Sequence, residues 1–137
     1  MAVSTDVDRH EAADTLASRA HAAAGLKAVF ALAEHWRLSA DQARSLLGRP
    51  SPRTFYNWKA GRVGRPSHDT MSRIGYLLGI HKALRVLFSN PDNVYGWISR
   101  ENDDFNGQSP LQRMLGGDVT DLAYVRQYLD AVRGGWA

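Results

Sequence analysis

The chain has no cysteine. That absence excludes disulfides, thiolate zinc sites, iron–sulfur clusters and a cysteine nucleophile, and it fits a cytoplasmic protein. Long apolar runs are missing too. None approaches the ~20 residues that a helix needs to span a bilayer, so no membrane association is expected. Residues 1–10 carry acids and no apolar core, unlike a secretory signal. No stretch alternates with period two for long enough to be a strand, and there is no internal repeat or low-complexity tract. His10, His21, His35, His68 and His81 include no i, i+4 pair, and no acidic cluster shares a face with them. No metal site is expected from that spacing. Gly116-Gly117 does not follow a strand, so it is not a phosphate loop. The acids Glu101, Asp103 and Asp104 fall in one loop and read as solvated charge rather than an acid–base pair. Nothing here calls for an enzyme or a cofactor.

What is present is an ordinary soluble composition. The 137 residues are 44% apolar and 23% charged, enough for one domain or two small helical ones with a real core. Charge is unevenly placed. Residues 1–90 hold thirteen Lys/Arg against seven Asp/Glu, whereas residues 91–137 hold four against seven. Between Arg44 and Arg65 there are six bases and no acid. Such a concentration points to a polyanionic partner for that segment, and the acidic C-terminal third would repel the same partner.

Residues 1–8 lack periodicity and read as unordered. From about Asp8 to Ala24 an alanine-rich helix is expected, broken at Gly25, with a second helix from Leu26 to Trp36. Ser39 and Ser51 are N-caps, the latter followed by Pro52 at the first helical position. They start helices that end at Gly48 and Gly61. Ser67 or Asp69 caps the next helix, for which Gly79 allows a break. Further helices follow Asn90-Pro91 and Ser109-Pro110, and the last runs from Val119 to about Arg133, closed by Gly134. The fold class is all-α.

Ser39 to Gly61 therefore reads as helix, glycine turn, helix. The second helix turns Phe55 and Trp58 inward, three residues apart, and leaves a polar face that fits a major groove about 12 Å wide. Arg53, Asn57 and Thr54 suit guanine, adenine and either a thymine methyl or a phosphate, respectively. Arg49, Lys59, Arg62 and Arg65 suit phosphates. A helical hairpin with a merely solvated basic face would share the pattern. The basic run, the Gly48 turn and the Ser-Pro start favour DNA.

The run Gln42-Ala43-Arg44-Ser45-Leu46-Leu47-Gly48, followed by Ser51-Pro52-Arg53-Thr54-Phe55-Tyr56-Asn57-Trp58-Lys59-Ala60-Gly61, resembles Xre-type helix-turn-helix antitoxins. Trp97-Ile98, Asn102, Phe105, Gly107, Ser109-Pro110-Leu111, Gly117, Val125, Leu129 and Gly134 resemble the toxin-binding domain of the Xre/MbcA/ParS antitoxins. The resemblance spans residues 26–137. It implies a helix-turn-helix domain over 26–89, a helical toxin-binding domain over 90–137, and an extension over 1–25 to which nothing is carried over. It also implies a non-enzymatic homodimer that represses its own operon and neutralises a RES-domain toxin. Such toxins have an ADP-ribosyltransferase-like fold and use NAD. The antitoxin's C-terminal end would then reach the toxin's active-site cleft, here through Arg133, Gly134, Gly135 and Trp136. Two glycines let the chain turn, and Trp136 presents a large apolar anchor. It would otherwise fold back onto its own domain. Tyr124 and Tyr128 either widen the toxin contact or serve as half-buried packing. A stand-alone regulator with a ligand-sensing or dimerising C-terminal half is the competing reading. An apolar pocket there would favour it.

Overall fold

Side-chain caps decide where most of the helices begin. The computed structural model describes residues 2–134, with side chains at Arg9 and from Ala17 onward, and among these residues every regular element is helical. The first helix, α1 (Ala2–His35), ends where Arg37 turns left-handed at φ 57°. Ser39 then starts α2 (Ala40–Leu46) with a reciprocal cap. Its Oγ accepts from the Gln42 amide at 3.1 Å, and its own amide donates to Gln42 Oε1 at 2.9 Å. Ser51 caps α3 (Pro52–Lys59), Asn90 caps α5 (Pro91–Gly96), and Ser109 with Gln112 repeats the reciprocal cap at α6 (Pro110–Met114). Ser67, rather than Asp69, caps α4 (His68–Leu87) through the Thr70 amide at 3.1 Å. Asp121 receives the Asp118 amide ahead of α7 (Val119–Gly134). Two single 3-10 turns, Trp97–Ser99 and Asp103–Phe105, fill the stretch between α5 and α6.

The central element is α4, which packs against α1, α5 and α7. Its Leu77, Ile80, Ala83 and Leu84 are sealed from solvent, and they meet Leu26 and Leu32 of α1, Ile98, Met114, and Leu122, Val125 and Leu129 of α7 in one continuous core. Phe55 and Trp58 join the same core from α3.

Two expected breaks do not occur. Gly25 lies inside α1 and Gly79 inside α4, both without interruption. Their role is close approach. A Cβ at Gly25 would stand 3.0 Å from Ile74 Cγ2 of α4, and one at Gly79 would run into the Arg126 guanidinium of α7. Each glycine marks the place where a neighbouring element lies against α4 or α1. The helix also reaches back to Ala2, past the residues expected to lack order.

Three rings tie the end of α1 to α4 and α5. Tyr95 stacks on His35 with centroids 4.6 Å apart and on His81 at 5.6 Å, and its hydroxyl lies 3.3 Å from His81 Nε2. Burial, helped by Arg85 and His35, pushes the His81 imidazole below its ordinary pKa.

Candidate nucleic-acid interface and C-terminal face

An eight-residue helix is too short to persist alone, so α3 owes its form to docking. Phe55 is 2% exposed and meets Phe30 of α1 edge-on at 5.3 Å. With Phe55 and Trp58 held inside, Arg53 and Lys59 are exposed, while Thr54 and Asn57 are half-buried. Ser51 fixes the start of the helix twice. Its Oγ accepts the Thr54 amide and donates to Thr54 Oγ1 at 3.0 Å. Asn57 is also fixed. Arg62 donates to its Oδ1 from Nε at 3.2 Å and from Nη2 at 3.1 Å, so Arg62 orients the amide beside which it was expected only to bind phosphate. Arg49 and Arg65 are exposed on the flanking turns. The structure thus brings Arg49, Arg53, Thr54, Asn57, Lys59, Arg62 and Arg65 to α3 and the turns at its two ends. Tyr56, 55% exposed on the outward side of α3, lies among them, and the sequence reading did not single it out as a candidate contact.

The turn between α2 and α3 is braced from below. Gly48 at φ +93° and Arg49 at φ 57° reverse the chain, and a Cβ at Gly48 would meet Arg73 Nε at 3.0 Å. Arg44 closes the turn by donating to the Pro50 carbonyl at 3.0 Å. Arg73, 6% exposed, was invisible as a special residue in the sequence. It donates to Asp69 Oδ2 at 2.8 Å and to the carbonyls of Leu46 at 3.5 Å and Gly117 at 2.8 Å. One guanidinium therefore joins the end of α2, the first turn of α4 and the turn ahead of α7.

On the C-terminal side, four aromatic rings form one cluster. Phe105 meets Tyr128 edge-on at 5.1 Å and Tyr124 at 5.9 Å, and Trp97 stacks on Tyr128 at 6.0 Å. The Arg113 guanidinium lies 4.0 Å from the centroid of Tyr124, which stays 40% exposed. Tyr128 donates its hydroxyl to Asp104 Oδ2 at 2.5 Å. That hydrogen bond, with burial and the Asp104 charge, pushes the Tyr128 phenol up to about 12. Asp104 and Trp97 thus join a face for which only Tyr124 and Tyr128 were expected. Nothing local in the sequence signals a bond spanning 24 residues. Arg133 is exposed and lies 3.7 Å from Asp130, which also pairs with Arg126. Gly134 is the last residue of α7, and Gly135 and Trp136 lie outside the described residues.

A raised phenol pKa has a fixed sign. The protonated form is favoured in the fold, so its contribution is complete below pH ~10 and is lost as pH rises through about 12. Phenolate absorbance should show one step near pH 12 that Tyr128→Phe removes. Asp104→Asn should move that step toward the ordinary tyrosine range. An unmoved step in the Asp104 variant would refute the assignment.

The pattern of the antitoxin Xre-like helix-turn-helix domain matches residues 15–79, and that of the antitoxin Xre/MbcA/ParS C-terminal toxin-binding domain matches residues 83–135. The chain belongs to the Xre/MbcA/ParS antitoxin family. An uncharacterized protein, y4oB, of Sinorhizobium fredii strain NGR234 is 49% identical over 112 residues, or 82% of this chain and 86% of its own. Both matched domains of this antitoxin are those of a regulator that binds DNA and a toxin. The two matches meet within α4, which runs unbroken from one into the other. Among the described residues, no group of three His, Asp or Glu is placed to hold a metal, and no helix is long and apolar enough to cross a membrane.

Proposed function

We propose that this antitoxin neutralises a RES-domain toxin, which uses NAD through an ADP-ribosyltransferase-like fold, by covering its active site. We further propose that it acts in the cytoplasm as a homodimer and represses its own operon through α3. What carries the reading is the pairing of two unlike faces on one chain, the basic one on α3 and the aromatic one around Tyr124 and Tyr128. In this reading residues 26–89 serve DNA and residues 90–137 serve the toxin. Arg53 reads guanine and Asn57 reads adenine. Thr54, with its Oγ1 held by Ser51, offers its methyl to thymine, as Tyr56 offers its ring edge. Arg49, Lys59, Arg62 and Arg65 take phosphates, which gives log K against log salt a slope of about −4 per protomer. Tyr124 and Tyr128 form the toxin-facing surface. Arg133, Gly134, Gly135 and Trp136 lead the tail into the toxin's cleft, with Trp136 as its anchor.

The deciding experiment is co-purification with the product of the neighbouring reading frame, scored together with rescue of growth. A stable complex that restores growth supports the reading. A toxic neighbour that this chain neither binds nor rescues sinks it. The two faces should also separate by mutation. Arg53→Ala or Asn57→Ala should cost about 1–3 kcal/mol of discrimination against the wrong base and leave neutralisation intact. Deleting residues 133–137 should abolish neutralisation and leave operator binding in place. Gel-shift titration and growth assays on the same variants check both, and loss of both activities in a folded variant would overturn the division.

A further inference from the structure

The way α3 ends changes what one of its side chains can offer a base. Gly61 is left-handed at φ 90°, so the chain doubles back after Lys59. The Arg62 amide then donates to the Asn57 carbonyl at 2.8 Å, and the Gly61 amide to that of Trp58 at 3.0 Å. This closure lays the residue two past the helix cap against the residue three before it, where two apolar groups usually meet. Here Arg62 meets Asn57. Its Nε and Nη2 both donate to Asn57 Oδ1, at 3.2 and 3.1 Å. An amide oxygen has two lone pairs. Arg62 occupies both and leaves the amide only the two donors on Nδ2.

Asn57 lies on the outward side of α3. At ~100° per residue it stands about 130° round the helix from the midpoint of Phe55 and Trp58, beside Arg53 one turn earlier. In a major groove, adenine shows N7 as an acceptor and N6 as a donor, so reading it takes Oδ1 as well as Nδ2. Guanine shows two acceptors, N7 and O6, which Nδ2 can meet alone.

We propose that Arg62 sets the base preference of Asn57: it competes with adenine for Oδ1, so that Asn57 reads adenine only once Arg62 has left it for a phosphate, and otherwise meets guanine. The proposal rests on the reading of α3 as an operator-binding helix. The backbone closure at Gly61 keeps the arginine within reach of the amide whichever partner it holds.

The test selects duplexes from a randomised pool with the full chain. The base whose preference Asn57→Ala erases is the one that Asn57 faces. In Arg62→Ala the ratio of affinities for adenine over guanine at that base should rise about tenfold, the worth of one modest charge-assisted hydrogen bond. Arg62→Lys keeps the charge without the fork, so it should raise the ratio part of the way and leave the salt slope unchanged. In an Asn57→Ala background, Arg62→Ala should leave the ratio where it is. An unmoved ratio, with equal loss of affinity on both bases and a salt slope lower by about 0.9, makes Arg62 a phosphate contact alone and overturns the proposal. A fall in the ratio also overturns it, because Arg62 would then be aiming Asn57 at adenine. If wild type selects no duplex, the operator-binding reading fails and the proposal falls with it. If wild type selects a duplex and Asn57→Ala leaves every preference in place, the proposal alone fails.

Discussion

Arg73→Ala should destabilise the antitoxin by about 3–4 kcal/mol. The guanidinium is buried, and two of its three partners are main-chain carbonyls, those of Leu46 and Gly117. Hydrogen bonds to a charged donor are worth about 1.5–3 kcal/mol each, and an abandoned buried acceptor keeps its desolvation cost. The Asp69 bond adds less, because that carboxylate side chain is 52% exposed and water can replace the arginine there. The 3.5 Å contact to Leu46 is the weaker of the two carbonyl bonds, which keeps the total below the simple maximum. In a chain of this size the loss corresponds to a fall in melting temperature of about 10 °C. Arg73→Lys should recover only part of it, since one ammonium cannot reproduce a planar fork that serves three directions. Urea denaturation of the three proteins measures the difference. A loss below about 1 kcal/mol in the alanine variant would show that the carbonyls find other donors.

Phe55→Ala should cost about 3–5 kcal/mol and take DNA binding with it. The ring is 2% exposed and meets Phe30. Removing it leaves a cavity under a helix of eight residues that has little stability of its own. Phe55→Leu, which fills most of the space, should cost less than half as much. The functional readout should exceed the stability readout. Gel shifts made well below the melting transition should still show the alanine variant binding DNA weakly, because α3 no longer holds one orientation. Wild-type affinity in a folded Phe55→Ala protein would mean that α3 is fixed by something other than this contact.

Local grammar was readable in the sequence. Ser39, Ser51, Asn90 and Ser109 announce helix starts because a short polar side chain followed by proline or a helical stripe has few other uses. Phe55 and Trp58 announce an inward face because their spacing permits nothing else on an amphipathic helix. Gly25 and Gly79 show where this grammar stops. A glycine within a helical pattern weakens it in isolation, but here each one admits a neighbouring element, and that neighbour lies 49 or 47 residues away in the chain. The C-terminal face follows the same rule. Tyr124 and Tyr128 were placed by periodicity, whereas Asp104 and Trp97 come from other elements and carry no spacing signal. Arg73 is the extreme case. It lies in the more basic part of the chain, where a lone arginine reads as surface charge, and only the fold turns it inward.

The continuity of α4 has a mechanical consequence. Its twenty residues form a rod of about 30 Å that begins beneath the Gly48 turn and ends among the residues matched to toxin binding. A linker would let the two halves swivel, but a shared helix fixes their bearing. Any cargo seated on the C-terminal half is then carried at a set angle and distance from the DNA axis. Copies bound side by side on DNA would present their cargoes at intervals dictated by the helical repeat of the duplex, so the spacing of the bound sites would decide whether adjacent complexes clash or fit.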